Sequence, residues 1–250
     1  MTILAIDVGN SRVKLAICNS ESRGLPSCDH QRDLPVDDAD RFLAALHETA
    51  DLANQIVKSV IAGSNATRLE TLVGDWPYTI PAPVVIRDFS QLPLTLNVNT
   101  PETVGIDRLL NAVGATCLYP ESPTIVVDSG TATTIDVVAN ADFLGGAILP
   151  GLRLFSQALH DHTDALPKID IEKLDLQSTA TLGKDTTGAI AAGVLYGQVG
   201  AIREIVQRCR TQYADARLVL TGGAAERIAA AFPGAEVIPH LCLRAMASLA

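Results

Sequence analysis

Apolar, β-branched runs broken by short polar turns set the rhythm of this chain. Residues 3–6 and 13–18 read as two strands joined by the polar turn 7–12, a hairpin. In residues 37–54, Phe42, Leu43, Leu46 and Ala50 fall at helical spacing behind an acidic start that suits the positive end of a helix dipole. A strand over 56–62, a short helix over 67–76 and a strand over 84–87 follow. Residues 91–103, with Pro93 and Pro101, predict an irregular loop that feeds a helix over 106–117. Beyond 119–123, a Pro-containing boundary, the pattern predicts strands over 124–127 and 134–138. Residues 145–151 are expected to turn into a helix over 152–160, and a long helix covers 186–209. Gly188, Gly193, Gly197 and Gly200 are costly inside that long helix, so close packing against another backbone is expected along their face. A strand over 217–220, a helix opened by Gly222-Gly223, a strand over 236–238 and a helix over 241–249 complete the chain. Strands and helices alternate, so the class is α/β.

One local design occurs twice. Ile3-Leu4-Ala5-Ile6-Asp7-Val8-Gly9-Asn10-Ser11 returns about half the chain later as Ile125-Val126-Val127-Asp128-Ser129-Gly130-Thr131-Ala132-Thr133-Thr134. Each copy is an apolar run ending in Asp, then Gly and small hydroxyl or amide residues. Gly lets backbone N–H groups approach an anionic oxygen, the hydroxyls donate further hydrogen bonds, and the Asp can hold a cation or its water shell against the same phosphates. A single such Asp reads equally well as a turn cap; two matched copies favour phosphate handling. The repeat predicts two halves, 1–118 and 119–250, whose turns face one another across a nucleotide cleft. Arg12 and Lys14 on the first hairpin could reach phosphate oxygens or be solvated surface charges. Gly105-Ile106-Asp107-Arg108, at a predicted helix start, offers a base for a hydroxyl and a guanidinium fork for an anionic substrate; a helix-start Asp beside a surface Arg is the plainer alternative.

Composition narrows the function. With 48% hydrophobic and 19% charged residues, the chain is not disordered. A net charge of −9 argues against a nucleic acid or an anionic membrane surface as the main partner. The N-terminal residues carry no secretory pattern, so the cytoplasm is the expected compartment. Cys18, Cys28, Cys117, Cys209 and Cys242 form no CxxC pair and are expected to be reduced structural thiols. The five histidines show no metal-ligand spacing beyond the loose pair His160 and His162. No GxGxxG or GxxxxGK[ST] occurs, against a Rossmann or P-loop site.

Taken in order, residues Asp7 to Lys14, Pro101 to Arg108, Asp128 to Thr134 with Asp136, Gly145 to Gly151, Gly183 to Thr186, and Thr221-Gly222-Gly223 make a set that resembles the type III pantothenate kinases over nearly the whole chain. That family belongs to the actin, Hsp70 and sugar kinase superfamily, so the resemblance implies two duplicated RNase H-like domains closing over ATP. It implies phosphorylation of pantothenate to 4′-phosphopantothenate, the first step towards coenzyme A, by a homodimer using ATP, Mg2+ and K+ or NH4+. Carried over by position, Asp7, Val8, Gly9, Asn10, Ser11, Arg12, Val13 and Lys14 would form the ATP phosphate loop, with Thr131 also on ATP. Gly105, Ile106, Asp107, Arg108 and Thr186 would hold pantothenate, with Asp107 as catalytic base, and Asp128 would bind the monovalent cation. Two positions depart from the family pattern: Val98 stands where a Tyr is usual, and Asp185 where an Asn is usual. Altered pantothenate affinity is the expected consequence. A kinase of the same superfamily with another small hydroxy substrate, or a nucleotide-binding regulator without catalysis, are the competing readings.

Overall fold

The computed structural model describes residues 1–20, 24–36, 38, 42, 44–46, 48 and 56–250. They divide into two compact units. The first comprises Met1–Pro120, Ala141–Phe143 and His240–Ala250, and the second Glu121–Asn140 and Leu144–Pro239.

The first unit is built on a five-stranded sheet in the order β3-β2-β1-β4-β5, from β1 Thr2–Val8, β2 Arg12–Asn19, β3 Ser27–Pro35, β4 Ile56–Ala62 and β5 Pro83–Ile86. β1 runs antiparallel to β2 and parallel to β4. Its near-continuous apolar run follows from cover on both faces. Leu4, Ile6 and Val8 pack with Val13, Leu15, Phe42, Leu46, Leu69 and Leu72 on one face. Asp7 alternates onto the other, where helix Leu241–Ser248 lies on β1, β2 and β4. That helix packs tightly on helix Ile106–Leu118: a Cβ at Gly114 would meet Leu241 Cδ1 at 2.6 Å. The sequence pattern counts residues 241–249 with the second half, but their contacts lie in the first unit because their apolar face fits this side of the first sheet. Arg244 Nε also donates to the Pro26 carbonyl at 2.8 Å.

The predicted helix over 37–54 extends largely outside the described residues; Phe42, Ala44, Ala45, Leu46 and Glu48 are helical. Within the loop predicted over 91–103, β6 Thr95–Leu96 pairs in parallel with Asp142 and Phe143. β3 has no counterpart in the sequence reading, since Ser27–Pro35 is mostly exposed and polar and shows no buried alternation.

β3 also corrects the expectation of five reduced thiols. The β2–β3 register sets Cys18 opposite Cys28, Cα to Cα 4.1 Å, and the two are joined as a disulfide. Ten residues of sequence separate them, and only the pairing of an unanticipated strand brings them together. Cys117, Cys209 and Cys242 are free.

The second unit repeats the first. β7 Thr124–Ser129 runs antiparallel to β8 Ala132–Ala139 and parallel to β10 Arg217–Thr221; β9 Asp142–Pro150 lies beyond β8 and β11 Glu236–Val237 beyond β10. The order β9-β8-β7-β10-β11 matches β3-β2-β1-β4-β5 strand for strand. Residues 145–151, expected to lead into the helix from 152, do so as strand: Gly145 and Gly146 lie inside β9, and only Gly151 leaves it, as the N-cap of helix Leu152–Asp161. Gly146 belongs there because a Cβ would sit 2.2 Å from the Ile135 carbonyl oxygen and Asp136 Oδ1.

Helix Thr186–Gln212 buries Ile190, Val194, Leu195, Val199, Ile202 and Val206 in this unit's core. By length and hydropathy alone it could cross a membrane; its buried stripe is that of a core helix. The expected backbone packing along its glycines holds only at Gly188, where a Cβ would lie 3.2 Å from the Gly183 Cα. Gly197 meets the Phe155 ring instead, and a Cβ at Gly193 or Gly200 would find no described atom within 4 Å.

Candidate active site

In the first unit the hairpin register places Asp7 opposite Lys14 and Val8 opposite Val13. The turn closes where Gly9 N–H donates to the Arg12 carbonyl at 2.9 Å. Asp7 is 8% exposed, and a carboxylate so buried requires charge or donors around it. Asn10, Ser11 and Arg12 stand exposed at the tip. Val8 and Val13 are fully buried, so their side chains belong to the core and only their backbone can meet a ligand. Arg12 pairs with Asp33 of β3 at 3.4 Å, both side chains about half exposed, a weak surface pair.

Asp107 lies in the first turn of helix Ile106–Leu118, with Gly105 as N-cap. Its Oδ1 accepts from the Arg108 backbone N–H at 3.0 Å. The Arg108 guanidinium lies 5.5 Å from the centre of the Phe143 ring, a cation–π geometry that holds the side chain in place. Ile106 is buried, so it too can offer only backbone. A Cβ at Gly105 would stand 2.5 Å from Asp107 Oδ1; glycine leaves the carboxylate its room.

The second unit rebuilds the first hairpin one residue shorter. Asp128 stands opposite Thr134 and Ser129 opposite Thr133, and Gly130 N–H donates to the Ala132 carbonyl at 3.0 Å. Thr131 is exposed at the tip. Thr133 is fully buried with its hydroxyl 3.4 Å from that of Ser129, so it does not serve as a free donor at the turn. Gly151 N–H donates to the Thr131 carbonyl at 3.0 Å, and a Cβ there would be 2.2 Å from the Gly130 carbonyl oxygen; helix Leu152–Asp161 therefore starts against this turn. Thr186 opens helix Thr186–Gln212 and is exposed. Asp185 is that helix's N-cap, accepting from Gly188 N–H at 2.7 Å. Asp and Asn cap equally well, and the helix's positive end offsets the extra charge.

The correspondence extends to a feature absent from the sequence reading. Asp7 pairs with Ala62, the residue before Gly63, and Asp128 with Thr221, the residue before Gly222. A Cβ at Gly63 would lie 2.2 Å from the Val8 carbonyl oxygen; one at Gly222 would lie 2.3 Å from Asp128 Oδ1. Two residues on, Asn65 N–H donates to Val8 and Ala224 N–H to Ser129. Gly63 is thus the counterpart of Gly222, legible only once β1–β4 and β7–β10 are superposed as repeats.

His240 is a second residue the sequence reading did not assign. It is the N-cap of helix Leu241–Ser248, in a left-handed conformation (φ 56°). Burial lowers its pKa first, with the charge of Lys14 and then Arg244 acting the same way, against Asp33. A histidine whose folded pKa lies below its unfolded value near 6.5 binds fewer protons folded than unfolded. Its stability contribution is therefore whole above that value and lost as pH falls through 6.5 towards the folded pKa. We expect the wild-type chain to lose more stability between pH 7.5 and 5.5 than His240→Asn, which tolerates the same backbone conformation. Urea denaturation at the two pH values measures it; equal losses would remove His240 as the cause.

An acid and a glycine turn closing the first strand, and a glycine closing the fourth, present once in each of two matching sheets, define a protein of the duplicated actin, Hsp70 and sugar kinase type. Solved structures share the fold. A conserved Baf family protein from Campylobacter jejuni superposes with a TM-score of 0.63 at 22% identity, covering 100% of this chain and 96% of that one. The activator of the 2-hydroxyisocaproyl-CoA dehydratase from Clostridium difficile, with bound ADPNP, gives 0.59 at 16% identity over 100% and 93%. The family model for type III pantothenate kinase matches residues 3–208. The type III pantothenate kinase of Phenylobacterium zucineum is 33% identical over 98% of this chain and 95% of its own length. The chain belongs to the type III pantothenate kinase family, as the motif set implies, and is a phosphotransferase.

Proposed function

We propose that each Asp–Gly turn is a phosphate-handling turn and that Asp107 and Arg108 bind pantothenate, within the family's ATP-dependent phosphorylation of pantothenate that leads to coenzyme A. The observation that carries this reading is the repeat itself: Asp7 and Asp128 end equivalent strands, each beside a turn glycine and a strand-end glycine whose Cβ would strike the neighbouring strand.

Phosphoryl transfer through a loose transition state needs alignment before proton removal, so a carboxylate, though a weak base for an alcohol, suffices if it is held in place. The Arg108 N–H on Oδ1 holds Asp107, and the other oxygen is left to accept the substrate hydroxyl's proton. Arg108, fixed on Phe143, supplies a fork for the substrate carboxylate. Lys14, opposite Asp7 on the same hairpin, would reach the phosphates. Among the described residues no group of three or more His, Cys, Asp and Glu side chains could hold a metal by itself. That suits Mg2+, which keeps waters and substrate phosphates as ligands. Asp7 would hold it largely through water. Asp128 fits a monovalent cation: its Oδ1 lies against a cradle that a Cβ at Gly222 would fill. Bound there, these ions would offset charge on the transferring phosphates.

The reading extends to a homodimer, supported in the second unit by exposed Ile148, Leu154 and Leu182 and by the open Gly193 and Gly200. It places the chain in the cytoplasm, where the Cys18–Cys28 pair meets reducing conditions. Coupled-assay ATP turnover with Mg2+ and K+ present should require pantothenate, and light scattering should return twice the chain mass. Turnover on another hydroxy compound but not on pantothenate would change the substrate, and no turnover with any acceptor would overturn the reading.

A further inference from the structure

A cavity of about 330 Å³ opens in the second unit between helix Leu152–Asp161 and residues 168–171, lined by Arg153, Ser156, Gln157, Lys168 and Asp170 with Ile169 and Ile171. Its size suits a small metabolite. Its charges are unequally answered. Arg153 pairs with Glu172 at 2.8 Å. Asp170 faces Lys173 and accepts the Glu172 backbone N–H at 3.1 Å. Lys168 has no ion pair or hydrogen bond among the described residues. Ser156 is 2% exposed, and its Oγ has no hydrogen-bond partner. A buried hydroxyl without a partner is unusual enough to require a reason. Here it lines a cavity that also holds an unpaired ammonium and an exposed amide, Gln157. A donor-rich pocket with one uncompensated positive charge recognises an oxyanion.

We propose that this cavity binds a small organic anion through a phosphate or carboxylate group, with Lys168 as its countercharge and Ser156 and Gln157 as donors. The site is separate from the residues assigned to ATP and pantothenate, yet tied through the backbone to the Asp128–Thr131 turn. Gly151, directly before the helix that carries Arg153 and Ser156, hydrogen-bonds the Thr131 turn. On the other side Arg227, three residues past Ala224, donates to the Ile171 carbonyl at 2.6 Å and pairs with Glu172.

The test is a titration of the full chain, held at saturating ADP and Mg2+, with inorganic phosphate in one arm and succinate in the other, followed by backbone amide NMR shifts. Saturable shifts at residues 153–157 and 168–171 are expected in at least one arm, and the tighter arm identifies the anionic group. Lys168→Ala, an exposed change that leaves folding intact, should weaken that binding about tenfold or more, and Lys168→Arg should restore most of it. Absence of saturable shifts there in both arms, equal binding by Lys168→Ala, or displacement by saturating pantothenate would overturn the assignment. The readout is binding, so it stands apart from any failure of turnover.

Discussion

Asp107→Asn is expected to lower pantothenate-dependent ATP turnover by roughly 10²- to 10⁴-fold while leaving ATP binding unchanged, the range seen when a general base is removed. The change is nearly isosteric. The amide oxygen of Asn can accept the Arg108 N–H that Asp107 Oδ1 accepts now at 3.0 Å, and the room left by Gly105 remains. Helix Ile106–Leu118 should start where it does, since Asn is also tolerated in a first turn, with only the small dipole contribution of the acid lost. What disappears is the capacity to take a proton as the substrate hydroxyl attacks. The loss should therefore fall on kcat, with a smaller effect on the KM for pantothenate. Steady-state kinetics and ADP titration separate these quantities. A variant as active as the parent would remove Asp107 as base and point to a different catalytic group.

How much of this could be read from residues alone depends on whether the signal is local. The strands that carry the turns were legible because residues 3–6, 13–18, 124–127 and 217–220 are mostly apolar and bounded by polar or glycine breaks, and all four are strands. Asp107 at a helix start was legible for the same reason. β3 was not, because its side chains are largely exposed and its stability comes from pairing with β2 rather than from a buried face. The disulfide went with it. Gly145 and Gly146 carry no strand signal because glycine usually punctuates; inside β9, glycine is needed at 146 for the backbone of β8 to approach. Gly63 and His240 carry no motif of their own. The first is identified by register with Gly222 and the second by its approach to Lys14 across more than two hundred residues of chain, relationships that only tertiary pairing creates.

Gly222→Ala is expected to destabilise the chain by about 2–5 kcal/mol and to weaken ADP binding, whereas Gly223→Ala, one residue on, should stay within about 0.5 kcal/mol of the parent. Two costs combine at Gly222. Its φ of +88° lies in the region that L side chains rarely adopt, which costs about 1–2 kcal/mol for a single residue. Its Cβ would also meet Asp128 Oδ1 at 2.3 Å and the Ser129 backbone at 2.7 Å. Backbone cannot swing aside as a flexible side chain can, so strand β7 or β10 must shift, at about 1–3 kcal/mol for an overpacked site. Either shift moves Asp128, the proposed cation ligand, and the Gly130 turn that follows it, so the loss of stability and the loss of nucleotide affinity should appear together. At Gly223 nothing lies within 4 Å and φ is not positive, so a methyl group there enters open space. Urea denaturation and ADP titration of the two variants side by side provide the comparison. If Gly222→Ala proved as mild as Gly223→Ala, Asp128 would not depend on the close approach of β10, and its role as a cation ligand would lose its structural support.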